Sequence, residues 1–268
     1  MTIPFRSTWL HLPGNIKSIQ MERSYWERIA PQYDKEIFDV RKNDKSGKIV
    51  KAIEQCSGRK KTVMDMGCAI GKWIPLLATQ FRRVVATDIS AKNLEIARKK
   101  CAAYSNVDYV RMDMSAPNLT VSPCDVGVCI NAILTSSLTK RIRFFQALNM
   151  SIHSGGWLIL VVPSLESKLY TNIIADRWNI DGDHKEKIGS AKKAYAIAKN
   201  YKQGVTDIDN VPTKHYLEEE LQLLLQLEGF KVKAIEKINY TWKTEFHHPP
   251  KWLKDPYPWD WLCVARKG

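Results

Sequence analysis

The sequence predicts an α/β fold built on an open, mostly parallel sheet, and three observations support this. Residues 62–73, TVMDMGCAIGKW, are typical of a short apolar strand, a tight turn of small residues and the start of a helix. Amphipathic helices and apolar strands then alternate as far as residue 163, as in consecutive strand–helix–strand units. The segments 124–130, CDVGVCI, and 157–162, WLILVV, are almost continuously apolar, as expected of central parallel strands covered on both faces.

Length and composition fit one large globular domain with insertions. The chain has 268 residues, of which 44% are hydrophobic and 26% are charged. No apolar run approaches the roughly 18 residues of a membrane helix, and the N-terminus is too broken by Pro, Arg and His for a secretory signal. The six cysteines form no C-x-x-C pair, which predicts buried, reduced thiols in a cytoplasmic protein and no metal site. The net charge of +13 permits an anionic partner such as RNA without requiring one.

Residues 1–60 are predicted to form an N-terminal helical arm. Apolar residues recur with helical spacing between residues 21 and 33, where Pro31 ends or bends the helix. A second amphipathic helix is predicted at 45–56, before the first strand of the sheet.

The turn after the first strand carries small residues at alternate positions. Gly67, Ala69 and Gly71 follow Asp65, and such a turn lets the backbone bend sharply and approach a ligand closely. Ala69 is a mild departure from glycine because alanine is still small, and the ligand-binding role of the turn stands if the backbone at residue 69 keeps φ below zero. The spacing differs from the G-x-G-x-x-G fingerprint of nucleotide dehydrogenases.

Polar residues also follow the next three strands. Asp88 ends the second strand, where a carboxylate can accept the hydroxyls of a ribose. Ser90 is placed to cap the helix after it. Asp113 follows the third strand, and Asn131 follows the fourth.

Five segments in this order resemble the class I S-adenosylmethionine (SAM)-dependent methyltransferases, particularly those acting on small molecules. Besides the glycine-rich turn, they are W-x-x-x-A-x-x-Y-D at 26–34, D-x-S-x-x-x-L-x-x-A-R at 88–98, the helix, Gly-Gly and apolar strand near 157, and the Y-x-x-E-E-L helix that begins at 216. The resemblance covers roughly residues 25–163 and 215–267. It implies a Rossmann-like, doubly wound, seven-stranded sheet of order 3-2-1-4-5-7-6, with the last strand antiparallel.

The resemblance also implies SAM as cofactor and assigns residues to it. Asp88 would bind the ribose, Asp113 the adenine amino group, and Met114 would pack on the ring. Tyr33 would help to close the pocket, and Asn131 would lie beside the methyl group. The complete predicted set is Tyr33, Asp65, Gly67, Cys68, Ala69, Gly71, Asp88, Ile89, Asp113, Met114 and Asn131.

The SAM-binding core is predicted to comprise residues 61–163 and 214–268. The segment 164–213 interrupts the alternation and is too long for a structureless loop, so we predict a helical substrate cap with a short helix at 190–201. The loop 243–258, rich in proline and aromatic residues, leaves the sixth strand at its carboxyl end. It would form a lid that excludes water.

Three histidines are candidates for a general base at the rim of the site. They are His215, which precedes the helix at 216, and His247 and His248 in the predicted lid. Histidine suits this role near neutral pH, although a neutral amine acceptor would need no base.

The sequence therefore predicts a cytoplasmic enzyme that transfers a methyl group from SAM to a small organic acceptor by in-line displacement. RNA is the alternative acceptor. A second alternative is a non-catalytic SAM-binding protein or an NAD-dependent dehydrogenase-like protein. The acceptor, the atom that is methylated and the oligomeric state stay open.

Overall fold

The computed structural model describes residues 21–181, 199–208 and 211–268. The strands are β1 (Gly58–Met66), β2 (Phe81–Asp88), β3 (Val107–Arg111), β4 (Cys124–Ile130), β5 (Ile152–Pro163), β6 (Val205–Ile208), β7 (Val211–Lys214), β8 (Phe230–Asn239) and β9 (Trp259–Lys267). The helices are α1 (Arg23–Ile29), α2 (Tyr33–Glu36), α3 (Val40–Asn43), α4 (Lys48–Cys56), α5 (Ile74–Gln80), α6 (Ala91–Lys100), α7 (Leu138–Met150), α8 (Leu165–Trp178) and α9 (Glu218–Leu227).

Seven strands form one sheet in the order β3-β2-β1-β4-β5-β9-β8. Strands β1 to β5 pair in parallel, whereas β9 is antiparallel to both of its neighbours. This is the predicted strand order, because β6 and β7 lie outside the sheet and shift only the numbering. The predicted fold class is confirmed.

The centre of the sheet is the pair β1 and β4, from which the chain winds outward in both directions. In such sheets ligands bind outside the carboxyl ends of the strands, where the strand order reverses. Since β8 runs parallel to β5, the chain leaves β8 at this same edge. The segment that connects β8 to β9 therefore lies beside the carboxyl edge, as predicted for the lid.

Helices cover both faces of the sheet and bury its apolar side chains. Ile49 and Ile53 of α4 and Leu77 of α5 pack on one face, and none of the three is exposed. Leu148 of α7 and Leu221 of α9 pack on the other face, also without exposure. This two-sided burial explains why β4 and the second half of β5 are almost continuously apolar.

The described part of the N-terminal arm, residues 21–57, is tied to the sheet domain by charged groups. The Glu27 carboxylate accepts the backbone N–H groups of Ala91 and Lys92 at 2.8 and 3.2 Å, at the start of α6. Asp34 pairs with Lys100 at 2.7 Å. A carboxylate at a helix N-terminus is favourable, so Glu27 anchors α1 across the beginning of α6.

The insertion after β5 contains α8 and, before α9, a hairpin of β6 and β7. The predicted helix at 190–201 lies almost wholly outside the described residues. The hairpin is an addition to the predicted helical cap. It is held by contacts distant in sequence, since the Lys214 N–H donates to Leu134 O at 2.9 Å and Val211 packs against Tyr25 and Ile29.

No helix in the described ranges is long and apolar enough to cross a membrane. The six cysteines are free and buried, as their position in apolar segments predicted.

Candidate active site

The glycine-rich turn joins β1 to α5 at the carboxyl edge of the sheet. Gly67 and Gly71 have φ values of +80° and +84°. A Cβ on Gly67 would lie 2.5 Å from the Cβ of Ala132, and one on Gly71 would lie 3.0 Å from the Cβ of Ala97. Both positions therefore need glycine for conformation and for close packing.

Ala69 has a φ of +48°, so the condition of φ below zero at this position is not met. Hydrogen bonds impose this left-handed conformation. The Ala69 N–H donates to Asp88 Oδ2 at 2.9 Å, and the N–H groups of Gly67 and Cys68 both donate to Thr87 O. The turn thus keeps a shape suited to glycine at all three positions although its middle residue is alanine.

Asp65 presents a buried carboxylate beside this turn. It is 2% exposed, and its Oδ2 has no hydrogen-bond partner among the described residues. Burial, with the charge of Asp88 as a second cause, raises the pKa of Asp65 to about 7. A buried oxygen without a partner is unfavourable, so this site suits a ligand that brings a donor or a positive charge.

Asp88, at the end of β2, is 7% exposed and already accepts three hydrogen bonds. Ser90 N–H and Asn93 Nδ2 donate to Oδ1 at 2.8 and 3.2 Å, and Ala69 N–H donates to Oδ2. Burial raises the pKa of Asp88, and these hydrogen bonds oppose the increase. An ionised carboxylate has about four acceptor positions, so about one remains for a ribose hydroxyl. Accepting both hydroxyls, as predicted, would require one existing bond to open.

The residues after β3 complete the nucleoside side of the site. Asp113 Oδ1 accepts the N–H and O–H groups of Ser115 at 2.8 and 2.7 Å. No hydrogen bond within the described ranges reaches its second oxygen, Oδ2, which can accept a hydrogen bond from an amino group. Met114 is 4% exposed and packs in the core cluster with Met66, so its side chain supports the site from the protein core. Ile89 is half-buried.

Two further predicted residues differ in character. Burial raises the pKa of the Cys68 thiol well above its usual range, so this thiol stays neutral and is no nucleophile. Tyr33 is half-buried and packs with Tyr25 and Ile29 of the arm. Burial and then the Asp88 charge raise the pKa of Tyr33, which is consistent with a position near the nucleoside side.

A buried polar network that the sequence analysis missed surrounds Asn131, directly after β4. Asn131 Nδ2 donates to Asp260 Oδ2 at 3.0 Å, and the Tyr240 hydroxyl donates to the same oxygen at 2.9 Å. Asp260 is 8% exposed, and burial raises its pKa to about 6. The signal in the sequence was an acid between two tryptophans at the start of an otherwise apolar strand.

The structure does not bring the three candidate histidines together. His215 is 4% exposed inside the hairpin, where its Nδ1 lies 3.1 Å from both Thr206 Oγ1 and Thr213 O. Burial lowers its pKa to about 4. The expectation that His215 lies on the rim is therefore wrong. His247 and His248 are exposed, and their backbone N–H groups donate to the carboxylate of Asp181 after α8.

The loop after β8 is packed against α8 instead of standing free. Trp242 and Phe246 are each 2% exposed and stack with their rings 5.5 Å apart. They bury Ile174 and Ala175 of α8. Trp252, in contrast, is 54% exposed. Most of the aromatic surface expected in an open lid is thus used to hold the loop on the insertion.

These side chains fit the predicted cofactor. A buried acid without a partner suits a cationic amino-acid part, a glycine turn permits close approach, and carboxylates after β2 and β3 suit ribose and adenine. The residues that would hold the cofactor are Asp65, Gly67, Asp88 and Asp113, all at the carboxyl edge.

Comparison with known proteins agrees with this geometry. Residues 63–156 match the family model of a methyltransferase domain. The N-methyltransferase NodS of Bradyrhizobium japonicum, in complex with S-adenosylhomocysteine (SAH), has a TM-score of 0.58 at 11% identity, over 91% of this chain and 97% of NodS. A DhpI–SAH complex has a TM-score of 0.58 at 14% identity, over 91% and 94% of the two chains. A SAM-dependent methyltransferase of Methanosarcina mazei has a TM-score of 0.55 at 16% identity, over 80% and 96%.

No curated protein matches the chain. The domain match and the shared fold nevertheless agree with the predicted class I SAM-dependent methyltransferase and with SAM as its cofactor.

Proposed function

We propose that this methyltransferase acts on a small organic acceptor, by in-line displacement of the SAM methyl group. The observation that carries the proposal is a set of contacts that join three segments near the carboxyl edge. These are the N-terminal arm, the β6–β7 hairpin and the loop that connects β8 to β9. Val211 of the hairpin packs on Tyr25 of the arm, and Phe38 of the arm meets the Tyr240 ring at 4.9 Å. Segments joined in this way favour a small acceptor over a large one.

The proposed roles follow from position. When bound, SAM supplies an electrophilic methyl group on a positively charged sulfur. Asp65 would hold the cationic amino-acid part, Asp88 a ribose hydroxyl and Asp113 the adenine amino group. Asn131 would lie on the acceptor side, because Ala132 next to it contacts Gly67 of the turn. Alignment of an acceptor at this site supplies much of the rate enhancement, since methyl transfer requires a near-linear approach.

Two similar structures support a small acceptor. NodS is described as an N-methyltransferase, and DhpI has been solved in a complex with SAM and a compound abbreviated HEP. The superposition on this chain covers 97% of NodS and 95% of DhpI. Neither of those proteins therefore carries a large additional acceptor domain that this chain lacks.

RNA remains a second candidate, favoured by charge and by exposed aromatic rings. The net charge is +13, and Trp178 and Trp252 are about half exposed with ring centroids 5.2 Å apart. Exposed rings of this kind can stack on unpaired bases.

The acceptor class is tested by measuring SAH release from SAM with a panel of small amines, phenols, carboxylic acids and thiols, and in parallel with total RNA. We expect turnover with a small acceptor and none with RNA. The control variant Asp88→Ala should weaken SAM binding by roughly 1–3 kcal/mol, as expected for lost hydrogen bonds to a charged group. Release with RNA alone would overturn the proposed acceptor.

The remaining alternatives differ in ligand binding. A non-catalytic SAM-binding protein would bind SAH without turnover on any acceptor. A dehydrogenase-like protein would bind NAD in calorimetry, and saturable NAD binding without SAH binding would contradict the proposal.

A further inference from the structure

The Asp260 network has unfilled hydrogen-bonding capacity. Two donors, Asn131 Nδ2 and the Tyr240 hydroxyl, both bond to the single oxygen Oδ2 of Asp260. No bond from the described part of the chain reaches its Oδ1. Asn131 Oδ1 is itself buried and has no partner among the described residues. Because Nδ2 has to face the carboxylate, the unpaired atom of Asn131 is its acceptor oxygen.

This network adjoins the end of the cofactor site where the methyl group would lie. Asn131 follows β4, and its neighbour Ala132 would be 2.5 Å from a Cβ on Gly67 in the glycine-rich turn. Asp260 pairs in the sheet with Pro163, at the carboxyl end of β5. The backbone of Asn131 is in the left-handed region, with φ of +48°, and its side chain reaches Asp260.

The two open atoms require donors, because an ionised carboxylate and an amide oxygen can only accept. A hydroxyl has one hydrogen to donate, whereas a primary amine has two. Burial raises the pKa of Asp260 to about 6, with the Glu245 carboxylate acting in the same direction, so Asp260 is ionised at neutral pH and above. A buried negative charge of this kind favours a partner that gains positive charge.

We infer that Asp260 and Asn131 form the acceptor subsite, and that the acceptor is a primary amine bound through its N–H groups. The inference rests on the proposed SAM-dependent function and narrows its acceptor class. Tyr240 is a positioning residue, which orients the Asp260 carboxylate through Oδ2.

The reaction balances without a base. The lone pair of the neutral amine forms the new N–C bond to the methyl carbon, and the S–C bond breaks with its electron pair going to sulfur. Positive charge therefore moves from sulfur to nitrogen, toward the Asp260 carboxylate. The methylated ammonium can lose its proton after release to water.

The inference can be tested before any acceptor is known. Sinefungin is a SAM analogue that carries an amino group where SAM carries its transferred methyl, whereas SAH carries nothing there. Calorimetric affinities for both ligands are compared in wild type, in Asp260→Asn and in the matched control Asp255→Asn. The control removes the same charge from an exposed position in the loop before β9.

We expect Asp260→Asn to weaken sinefungin by about tenfold or more relative to SAH, since a charge-assisted hydrogen bond is lost. The control should leave this ratio within about twofold, as distant sites do. Glycine at position 131 tolerates the positive φ, and Asn131→Gly removes the amide oxygen that has no partner. This variant should also weaken sinefungin binding relative to SAH binding. It serves as the second variant if Asp260→Asn does not fold.

An unchanged ratio in both site variants, with SAH still bound, would overturn the amine subsite while leaving the methyltransferase proposal standing. If the wild-type protein does not bind SAH, the proposed function itself is contradicted. The amine subsite, which rests on that function, is then contradicted as well. An acceptor found to lack an N–H group would also overturn it.

Discussion

At the scale of single residues, the site combines backbone strain with buried charge. Ala69 holds a left-handed conformation although it has a Cβ, and Asp65 keeps an oxygen without a partner in the core. Both features disfavour the folded chain in the absence of a ligand. Such features persist at functional sites because the surrounding structure over-determines them.

Replacing Ala69 by glycine should stabilise the protein. The left-handed region costs a residue with a Cβ about 1–2 kcal/mol, and the greater freedom of glycine in the unfolded chain offsets about 0.4–1 kcal/mol of that gain. We expect Ala69→Gly to raise the unfolding free energy by up to about 1 kcal/mol in urea titrations. The control Ala78→Gly, in the helix α5, should lower the unfolding free energy by about 1 kcal/mol or more. Equal destabilisation by both changes would show that the turn is not strained.

The Asp65 carboxyl should make stability depend on pH. Its pKa is raised from 3.8 to about 7 in the folded protein, so the unfolded chain releases its proton first as pH rises. Folding stability is therefore lost progressively between about pH 4 and pH 7, by at most about 1.4 kcal/mol for each unit of pKa shift. Asp65→Asn should lack this loss.

Thermal unfolding of the ligand-free protein at several pH values measures this difference. The Tm of Asp65→Asn minus the Tm of wild type should increase from about pH 4 to about pH 7 and then level off. The exposed-site variant Asp255→Asn should show no such increase. A gap that stays constant with pH would mean that Asp65 is not protonated in the folded protein near neutral pH.

At the scale of elements, α8 and the loop before β9 stabilise each other. The loop has little regular structure of its own, yet Trp242, Phe246 and Leu253 are buried against Ile174 and Ala175. The insertion therefore serves as the base on which the loop stands. A role of this loop as a lid over the pocket stays a prediction.

Two aromatic residues of the loop should differ sharply in how much their replacement by alanine destabilises the protein. Phe246 is 2% exposed and Trp252 is 54% exposed. We expect Phe246→Ala to lower the unfolding free energy by about 3–5 kcal/mol, as for other buried phenylalanines, and Trp252→Ala to change it by less than about 1 kcal/mol. Urea titrations of both variants measure this. Similar losses would mean that the loop does not pack on α8 in solution.

At the scale of the whole molecule, the positive charge and the contacts between the arm and the hairpin favour different partners. The net charge of +13 favours polyanions, whereas the packing of Val211 on Tyr25 supports the small acceptor that we propose. Salt separates the two, because phosphate contacts release counterions and surface charge is screened.

Turnover with a small acceptor should change little between about 50 and 200 mM salt, whereas binding through several phosphates would fall by orders of magnitude. SAH release is measured across this range, together with RNA binding by fluorescence anisotropy. Tight RNA binding with a steep salt slope, together with methylation of that RNA, would reverse our preference for a small acceptor.

Most of the sheet and of the cofactor side could be predicted because both are local in sequence. Asp65 and Asp88 lie at the ends of β1 and β2 and Asp113 follows β3, and parallel strands bring their carboxyl ends to one edge. The Asp260 network could not be predicted this way, because Asn131 and Asp260 are 129 positions apart and meet only once β9 pairs with β5.

From the sequence we could predict the fold class, the strand order through the family resemblance, and a candidate SAM site at the carboxyl edge, because periodicity and short motifs encode strands, turns and their ends. The remaining features follow from the tertiary structure. It set the φ of Ala69 through a bond to Asp88, buried His215 in a hairpin held by distant contacts, and stacked Phe246 on Trp242 against α8. These outcomes depend on which surfaces meet after folding, and burial and hydrogen bonding between distant segments leave no periodic trace in the chain.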